Sequence, residues 1–339
     1  MDRPGGKAII RHGHAGIVGN VENAISADIS VIIPMMDEEE SLPTLFGRLV
    51  PILRALERSY EIVVVNDGST DGTLAALRRL QGSNPEIVVI DLSRNFGKEA
   101  ALTAGLFHAR GKAVIPIDAD LQDPPELIAR MVEKWDGGSE VVLAVRSQRD
   151  ADSWVKRRTA ETFYRIMNAV GEISIPPNAG DFRLMDRKVV EALKALPERT
   201  RFNKGIFAWL GFRTDVVEYE RPAREAGATK WKYRKLWAFA LDGITSFSSA
   251  PLRAWSYIGG AISAFAFFYG LYIIFKVVVL GQRDTPGYAS IMAVMLFSNG
   301  IILIGLGVIG EYLSRVFIET KGRPLFIIRD IYEGEREER

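Results

Sequence analysis

Two long stretches without a charged residue lie in the last quarter of the sequence, over 255–275 and 285–310. At about 1.5 Å per residue, a helix over either stretch is long enough to cross a hydrocarbon layer roughly 30 Å thick. Aromatic side chains flank both stretches, as is typical of membrane–water interfaces: Trp255, Tyr257, Tyr288 and Tyr312. The pattern predicts two transmembrane helices, and the alternative is a pair of buried core helices.

The basic residues around these stretches are unevenly distributed, which predicts an orientation. Five precede the first stretch and four follow the second, against only Lys276 and Arg283 around the connecting turn. Because Lys and Arg accumulate on the cytoplasmic side, both termini and the bulk of the chain are expected in the cytoplasm. The polar N-terminal segment has no apolar run, so we expect a flexible extension rather than a signal peptide.

Composition excludes several classes of function. The 339-residue chain carries 43 basic and 42 acidic residues, a net charge of +1, which gives no bulk attraction for nucleic acid, and none is expected as a partner. It has no cysteine and three histidines. A thiol nucleophile, a disulfide framework and a cysteine zinc site are therefore excluded, and a histidine-rich metal site is not supported.

Short β-branched runs alternate with helical patterns between residues 28 and 145. This alternation is the signature of an α/β domain with a mostly parallel sheet. Ser41 is placed to cap the first helix. Because ligands bind at the carboxyl ends of the strands in such folds, the residues that follow each strand are the candidates for a site. The predicted strands are 29–34, 61–67, 86–92, 113–118 and 140–145.

Acidic residues follow three of these predicted strands, in the segments Asp37-Glu38-Glu39, Asp67 to Asp71, and Asp118 to Asp123. Taken singly, Asp67 and Asp71 also fit purely structural roles as turn and helix-cap residues. Acids at several strand ends together favour a ligand site. No G-x-G-x-x-G fingerprint follows the first strand after Ile33, and no Walker motif is present, which argues against hydride transfer and ATP hydrolysis by those routes.

The segment Asp118-Ala119-Asp120 offers ligands for a metal. Alternate carboxylates leaving a strand suit Mg²⁺ or Mn²⁺, and such a cation makes a diphosphate a better leaving group. Gln122 adds a neutral oxygen. The alternative is a solvated acidic turn that precedes the helix start at Pro124 and Pro125.

Six segments, in order, resemble the polyprenyl-phosphate branch of the family-2 glycosyltransferases, which includes dolichol-phosphate mannose synthase and the bacterial bactoprenol glucosyltransferases. The resemblance covers about residues 29–323. It implies a GT-A type, Rossmann-like domain, a UDP-sugar donor, a polyprenyl phosphate acceptor, and a homotetramer in the bacterial inner membrane. The segments are VIIPMMDEEESLP, VVVNDGSTDGT, LSRNFGKEAAL, PIDADLQDPPE, AGDFRLMDR and REAGATKWKYRK.

The resemblance also implies roles for individual residues. Asp120 and Gln122 would hold the metal beside Asp118, and Asp120 is thereby part of the catalytic set. Asp181 would position the donor sugar or act as a base, and Arg183 could be its ion-pair partner. The alternative for Asp181 is a structural role as a strand-end cap. Nucleotide-sugar contacts would come from Pro34, Met36, Glu38, Val65, Asp67, Asp118, Ala119, Arg146, Arg224 and Lys230.

The expected organisation joins a catalytic domain to the membrane. A helix over 231–249 has basic residues at its start and one apolar face, which predicts an interfacial position. Glycines at 305, 307 and 310 allow close helix approach and suggest oligomerisation. The segment from 326 begins with apolar residues and could add an edge strand. The predicted units are an extension (1–27), the GT-A domain (28–228), juxtamembrane helices (229–253), two spans (254–281 and 288–312) with an extracytoplasmic turn (282–287), and a cytosolic tail (313–339).

Two rival functions are weighed against sugar transfer to a lipid phosphate. A processive polysaccharide synthase would need a Q-x-x-R-W element and further spans, and the sequence contains neither. A membrane-tethered nucleotide-sugar sensor would bind the donor without transferring it. The complete DADLQD segment argues against the sensor, because binding alone does not require a metal set that activates a leaving group.

Overall fold

The computed structural model describes residues 26–146, 179–196, 198, 206–207, 209–219, 250–279 and 287–334. Residues 1–25 of the predicted extension (1–27) and the predicted interfacial helix lie outside the described residues, and Ala27 begins β1. Arg224 and Lys230, the predicted phosphate ligands, lie outside them as well.

The first half of the sheet is parallel. Strand β1 lies in the middle and pairs with β2 on one side and β4 on the other, while β3 pairs with β2. Each of these strands coincides with a buried apolar run of the sequence. The predicted strands are therefore confirmed. The elements are β1 (Ala27–Met35), α1 (Leu42–Ala55), β2 (Tyr60–Asn66), α2 (Thr73–Ser83), β3 (Ile87–Leu92), α3 (Lys98–His108) and β4 (Gly111–Pro116).

The second half introduces an antiparallel strand. Strand β6 lies between β4 and β5 and runs antiparallel to both, whereas β7 is parallel to β5. The α/β class with a mostly parallel central sheet is therefore confirmed. The elements are α4 (Leu127–Asp136), β5 (Val141–Arg146), β6 (Ala179–Asp186), α5 (Arg187–Ala195) and β7 (Thr214–Tyr219).

Two apolar clusters cover the two faces of the sheet. Helices α1, α2 and α4 contribute to one cluster, and α3 and α5 contribute to the other. Strands covered on both faces are apolar throughout, which explains their unbroken runs. Helix α1 begins after Ser41, as predicted, but the predicted side-chain cap was wrong. The Ser41 hydroxyl donates to the carbonyl and carboxylate of Glu38, and no helix N–H donates to it.

Two long helices, α6 (Ala250–Val278) and α7 (Tyr288–Lys321), carry the uncharged stretches. By length and composition, each contains a segment that could cross a membrane: Ala254–Tyr272, which is 0% buried, and Phe297–Lys321, which is 6% buried. Helices in a soluble core would be covered, so the alternative of two buried core helices does not describe them. Helix α7 continues well beyond the predicted end at residue 312.

A last strand, β8 (Ile328–Tyr332), follows α7 and returns to the sheet. It pairs antiparallel with β3 at the edge, which confirms the expected edge strand. The eight strands have the order β7-β5-β6-β4-β1-β2-β3-β8. The sheet thus includes a strand from the segment predicted to be a tail, and residues 28–228 alone do not complete it.

Candidate active site

A pocket of about 340 Å³ opens at the carboxyl ends of β1, β2 and β4. Parallel strands bring these ends to one edge of the sheet, which is where the fold type binds ligands. The loop before α3 closes one side. The lining residues are Pro34, Met35, Met36, Glu38, Asp67, Asn95, Gly97, Lys98, Ala101, Asp118, Ala119 and Asp120.

The acidic loop after β1 is fastened to the loop after β2. Asp37 adopts a left-handed backbone conformation with φ 54°, and its Oδ1 accepts a hydrogen bond from the Thr70 amide at 2.7 Å. Its own amide donates to Ser69 Oγ at 3.0 Å. Asp71 Oδ1 accepts a hydrogen bond from the Thr73 amide at 3.0 Å, so Asp71 has the structural role of a turn residue. These contacts give the pocket rim a defined backbone.

Asp67 lines the pocket, and its carboxylate holds the loop before α3. It is buried; its Oδ1 accepts from the Phe96 amide at 2.7 Å and its Oδ2 from the Gly97 amide at 2.9 Å. The next residue, Gly68, has φ +68°, and a Cβ there would overlap the backbone of Asn95. A glycine is required at this position, because the two loops pack backbone against backbone.

The register of β6 explains why two acids meet. Ala113 pairs with Asp186 and Val114 with Met185, and continuing this antiparallel register beyond β4 brings Asp181 opposite Asp118. Like charges opposite each other across a strand pair are destabilising. A cation between the two carboxylates relieves this repulsion.

Lys98, the first residue of α3, supplies that cation. Its Nζ lies 2.7 Å from Asp118 Oδ1 and 3.0 Å from Asp181 Oδ2. Burial alone would lower the pKa of Lys98, but the carboxylates of Asp181 and Asp118 outweigh it and raise that pKa. Burial raises the pKa of Asp118, and Lys98 counteracts this effect. The ionised form of Asp118 thus depends on a neighbouring cation.

The two carboxylates predicted as metal ligands, Asp118 and Asp120, line the same pocket. Between Asp120 and Gln122, Leu121 has φ 54°, a strained conformation for a non-glycine residue, and the Gln122 amide donates to Asp120 Oδ1 at 3.1 Å. Among the described residues there is no group of three acidic or histidine side chains that could hold a metal ion. Mg²⁺ is typically held by one or two carboxylates together with substrate phosphates, so this donor set fits a cation that arrives with a diphosphate. The ammonium of Lys98 beside Asp118 shows that the position accepts positive charge.

The other predicted contacts fall into three groups. Pro34, Met36, Glu38 and Ala119 line the pocket, and Met36 is 48% exposed with the amide of Asn95 against its sulfur. Val65 is fully buried among the residues that pack on α3 and is not among the lining residues, because side chains alternate between the faces of a sheet. Arg146 ends β5, and only its backbone is described.

Arg183 follows Phe182 on β6, and its side chain is buried. Its Nη2 donates to the Gly180 carbonyl at 2.7 Å, and its guanidinium lies 4.1 Å from the centre of the Phe207 ring. Burial lowers the pKa of Arg183 to about 10. The ion pair that the structure shows for Asp181 is formed with Lys98.

Lys98 is the charged residue of the pocket lining that the sequence did not predict. It belongs to the segment LSRNFGKEAAL, which carried part of the resemblance, but no role was assigned to it. A signal was present, since a lysine follows a glycine at the start of a helix, where the positive end of the helix dipole disfavours a cation. The carboxylates of Asp118 and Asp181 offset that cost.

Two family models match the chain. Residues 30–194 match Glycosyl transferase family 2, and residues 250–316, which contain most of both apolar helices, match the GtrB C-terminal hairpin. The chain belongs to the family-2 glycosyltransferases and is a transferase, which confirms the resemblance seen in the sequence.

Individual relatives align over nearly the whole chain. An uncharacterized glycosyltransferase of Synechocystis is 54% identical over 91% of this chain and 96% of its own length. The SfII prophage-derived bactoprenol glucosyl transferase of Shigella flexneri is 48% identical over 90% of this chain and 99% of its own length. Among solved structures, glucosyl-3-phosphoglycerate synthase from Mycobacterium tuberculosis with Mn²⁺, UDP and phosphoglyceric acid has a TM-score of 0.46 at 20% identity, covering 66% of this chain and 78% of that one.

Proposed function

We propose that this protein transfers glucose from UDP-glucose to a polyprenyl phosphate such as undecaprenyl phosphate, with inversion at the anomeric carbon. The observation that carries the proposal is the end-to-end alignment with bactoprenol glucosyl transferases at 48% identity, which includes the helical hairpin. The pocket and its acids supply the chemistry, and the hairpin supplies access to a lipid.

The nucleotide would occupy the pocket at the ends of β1 and β2. Pro34, Met36, Glu38, Asp67 and Ala119 line it, and Val65 would contribute through its backbone. Asp118 and Asp120, with Gln122, would hold Mg²⁺ or Mn²⁺, and the cation would neutralise the diphosphate. The remaining cationic contacts to the diphosphate are assigned to Arg146, Arg224 and Lys230, whose side chains suit phosphate oxygens.

The acceptor needs little activation. A phosphate monoester with a second pKa near about 6 is mostly dianionic at neutral pH, so a strong general base is dispensable. A phosphate oxygen would attack the anomeric carbon in line as the bond to the UDP oxygen breaks, which inverts the centre. Asp181, held opposite Asp118 by Lys98, would position the donor sugar or take up a proton.

We infer that α6 and α7 cross the cytoplasmic membrane as a hairpin, with the catalytic domain and both termini in the cytoplasm. The support is twofold: the apolar segments are exposed, and β8 pairs with the catalytic sheet directly after α7. The domain therefore lies on the side where α7 ends. The helix over 231–249 would lie at the interface, and the homotetramer implied by the resemblance belongs to the same proposal.

The proposal is tested by transfer of radiolabelled sugar from UDP-glucose to short-chain polyprenyl phosphate by the purified full chain in detergent. Product mass spectrometry with a panel of donors identifies the sugar. We expect a glucosyl phospholipid, loss of transfer on metal chelation, and a loss of orders of magnitude in Asp181→Asn. Tight UDP binding without transfer from any donor would instead support the sensor.

A further inference from the structure

The strand that returns from the helical hairpin reaches the loop beside the donor pocket. Strand β8 pairs with β3 up to Leu92, opposite Ile328, and the register shifts between Asp91 and Leu92. Just beyond, the Ser93 amide donates to the Ile327 carbonyl at 2.9 Å. The residues from Ser93 to Gly97, here called the α3 loop, begin at this contact.

Arg329 of β8 fastens the first residue of the α3 loop. Its Nη2 donates to the Ser93 carbonyl at 2.6 Å, and its Nη1 lies 3.2 Å from Asp91 Oδ2. Asp91 is 1% exposed, and its Oδ1 accepts from Asn66 Nδ2 at 2.7 Å. A buried carboxylate needs such partners. Arg329 thus joins β8, the end of β3 and the end of β2, where the next residue is Asp67.

The other end of the α3 loop is held from β2. Asp67 accepts the amides of Phe96 and Gly97, and the loop packs on Gly68. The loop supplies Asn95 and Gly97 to the pocket, and Lys98 follows it directly. The position of Lys98 between Asp118 and Asp181 therefore depends on both attachments.

We propose that Arg329 is a positioning residue for the donor pocket, through which the strand that follows the membrane hairpin sets the α3 loop and Lys98. The inference rests on the proposed use of this pocket for a UDP-sugar. It assigns a role in donor binding to a residue that lies outside the pocket and beyond both apolar helices in the sequence.

The test uses UDP with Mn²⁺ as the probe and the purified full chain, with binding measured by calorimetry. Arg329→Met keeps the aliphatic stem and removes both charge-assisted contacts, so we expect the Kd for UDP to rise about tenfold or more. Arg329→Lys gives an intermediate Kd, because an ammonium cannot reproduce the fork that reaches two acceptors. In transfer assays, the KM for the donor rises while the KM for the acceptor stays unchanged.

Arg110→Met is the matched control. Arg110 pairs with Glu333, just after β8, at 2.9 Å, so its loss weakens the attachment of the same strand away from the α3 loop. We expect the wild-type Kd for UDP in this variant. Equal Kd values in Arg329→Met and wild type would overturn the inference, as would an equal rise in both variants. If Arg329→Met fails to fold, a wild-type Kd in Arg329→Lys overturns it. Wild-type protein that binds UDP but transfers no sugar would refute the proposed function alone.

Discussion

Replacing Lys98 with methionine removes the ammonium between two carboxylates while retaining a side chain of similar length. The Nζ lies 2.7 Å from Asp118 and 3.0 Å from Asp181, but the lysine side chain is 45% exposed, so water screens both pairs. Partly exposed ion pairs contribute up to about 1 kcal/mol each. We therefore expect the free energy of unfolding to fall by about 1–2 kcal/mol, a loss that leaves the protein folded.

The larger effect of Lys98→Met should be on the pH dependence of transfer. Burial and Asp181 raise the pKa of Asp118, whereas Lys98 lowers it, so removing Lys98 raises that pKa further. A carboxyl group with a higher pKa stays protonated to a higher pH and cannot serve as an anionic ligand there. The acidic limb of the pH–rate profile should therefore move to higher pH. At pH values below that limb, kcat/KM for the donor should fall by about tenfold for every pH unit that the limb moves.

Radiolabelled transfer measured over a pH series tests this effect, and denaturant unfolding of the same samples measures stability. Lys112→Met is the matched control, because Lys112 forms a comparable pair with Asp28 at 2.8 Å at the opposite end of β4. This control should keep the wild-type pH profile. If Lys98→Met also kept it, Lys98 would not control the charge of Asp118, and the reasoning would be refuted.

Three further substitutions test other parts of the structure. Asp118→Asn removes one of the two carboxylates proposed to hold the metal, and we expect Mn²⁺-dependent transfer to fall by about a hundredfold or more, measured by initial rates against Mn²⁺ concentration. Gly68→Ala places a Cβ against the backbone of the α3 loop at φ +68°, so the free energy of unfolding should fall by about 1–3 kcal/mol and UDP binding should weaken in calorimetry. Gly305→Ala places a Cβ against the indole of Trp255, so thermal stability in detergent should fall, whereas Gly300→Ala, in the same helix and with no atom within 4 Å of its Cβ, should not lower it.

Much of the fold could be predicted because its strands are covered on both faces. A strand such as 29–34 then appears as an unbroken apolar run with a polar end, and the positions of Asp67 and Asp118 after such runs placed them at one edge of the sheet. The two long apolar helices could be predicted equally well, because the length of each stretch and its lack of charged residues are sufficient for that prediction. The family was identifiable because several acidic segments occurred in a fixed order.

The contacts between distant segments could not be predicted in the same way. Lys98 meets Asp181 only because β6 is antiparallel to β4, and the register of that pair is not visible in local periodicity. The side chain of Val65 faces α3. Because β2 is apolar on both faces, the sequence does not show which face of the sheet a given side chain occupies. The Ser41 hydroxyl is oriented toward Glu38, which precedes it in the same loop, and the orientation of a hydroxyl is not visible in the sequence.

The register of β8 also bears on the acceptor. Only six residues, 322–327, separate the end of α7 from β8, so the sheet edge lies within about 25 Å of the end of that helix. Because Ile328 pairs with Leu92 and Tyr332 with Val89, the chain arriving from α7 enters the sheet at the carboxyl end of β3. That is the edge at which the donor pocket opens. Helix α7, at 34 residues, is roughly 50 Å long and exceeds a hydrocarbon layer of roughly 30 Å, so its last turns extend toward the domain. In the proposed membrane arrangement, the open edge of the pocket is tied by a short connection to the end of α7, which suits an acceptor whose phosphate lies at the lipid surface.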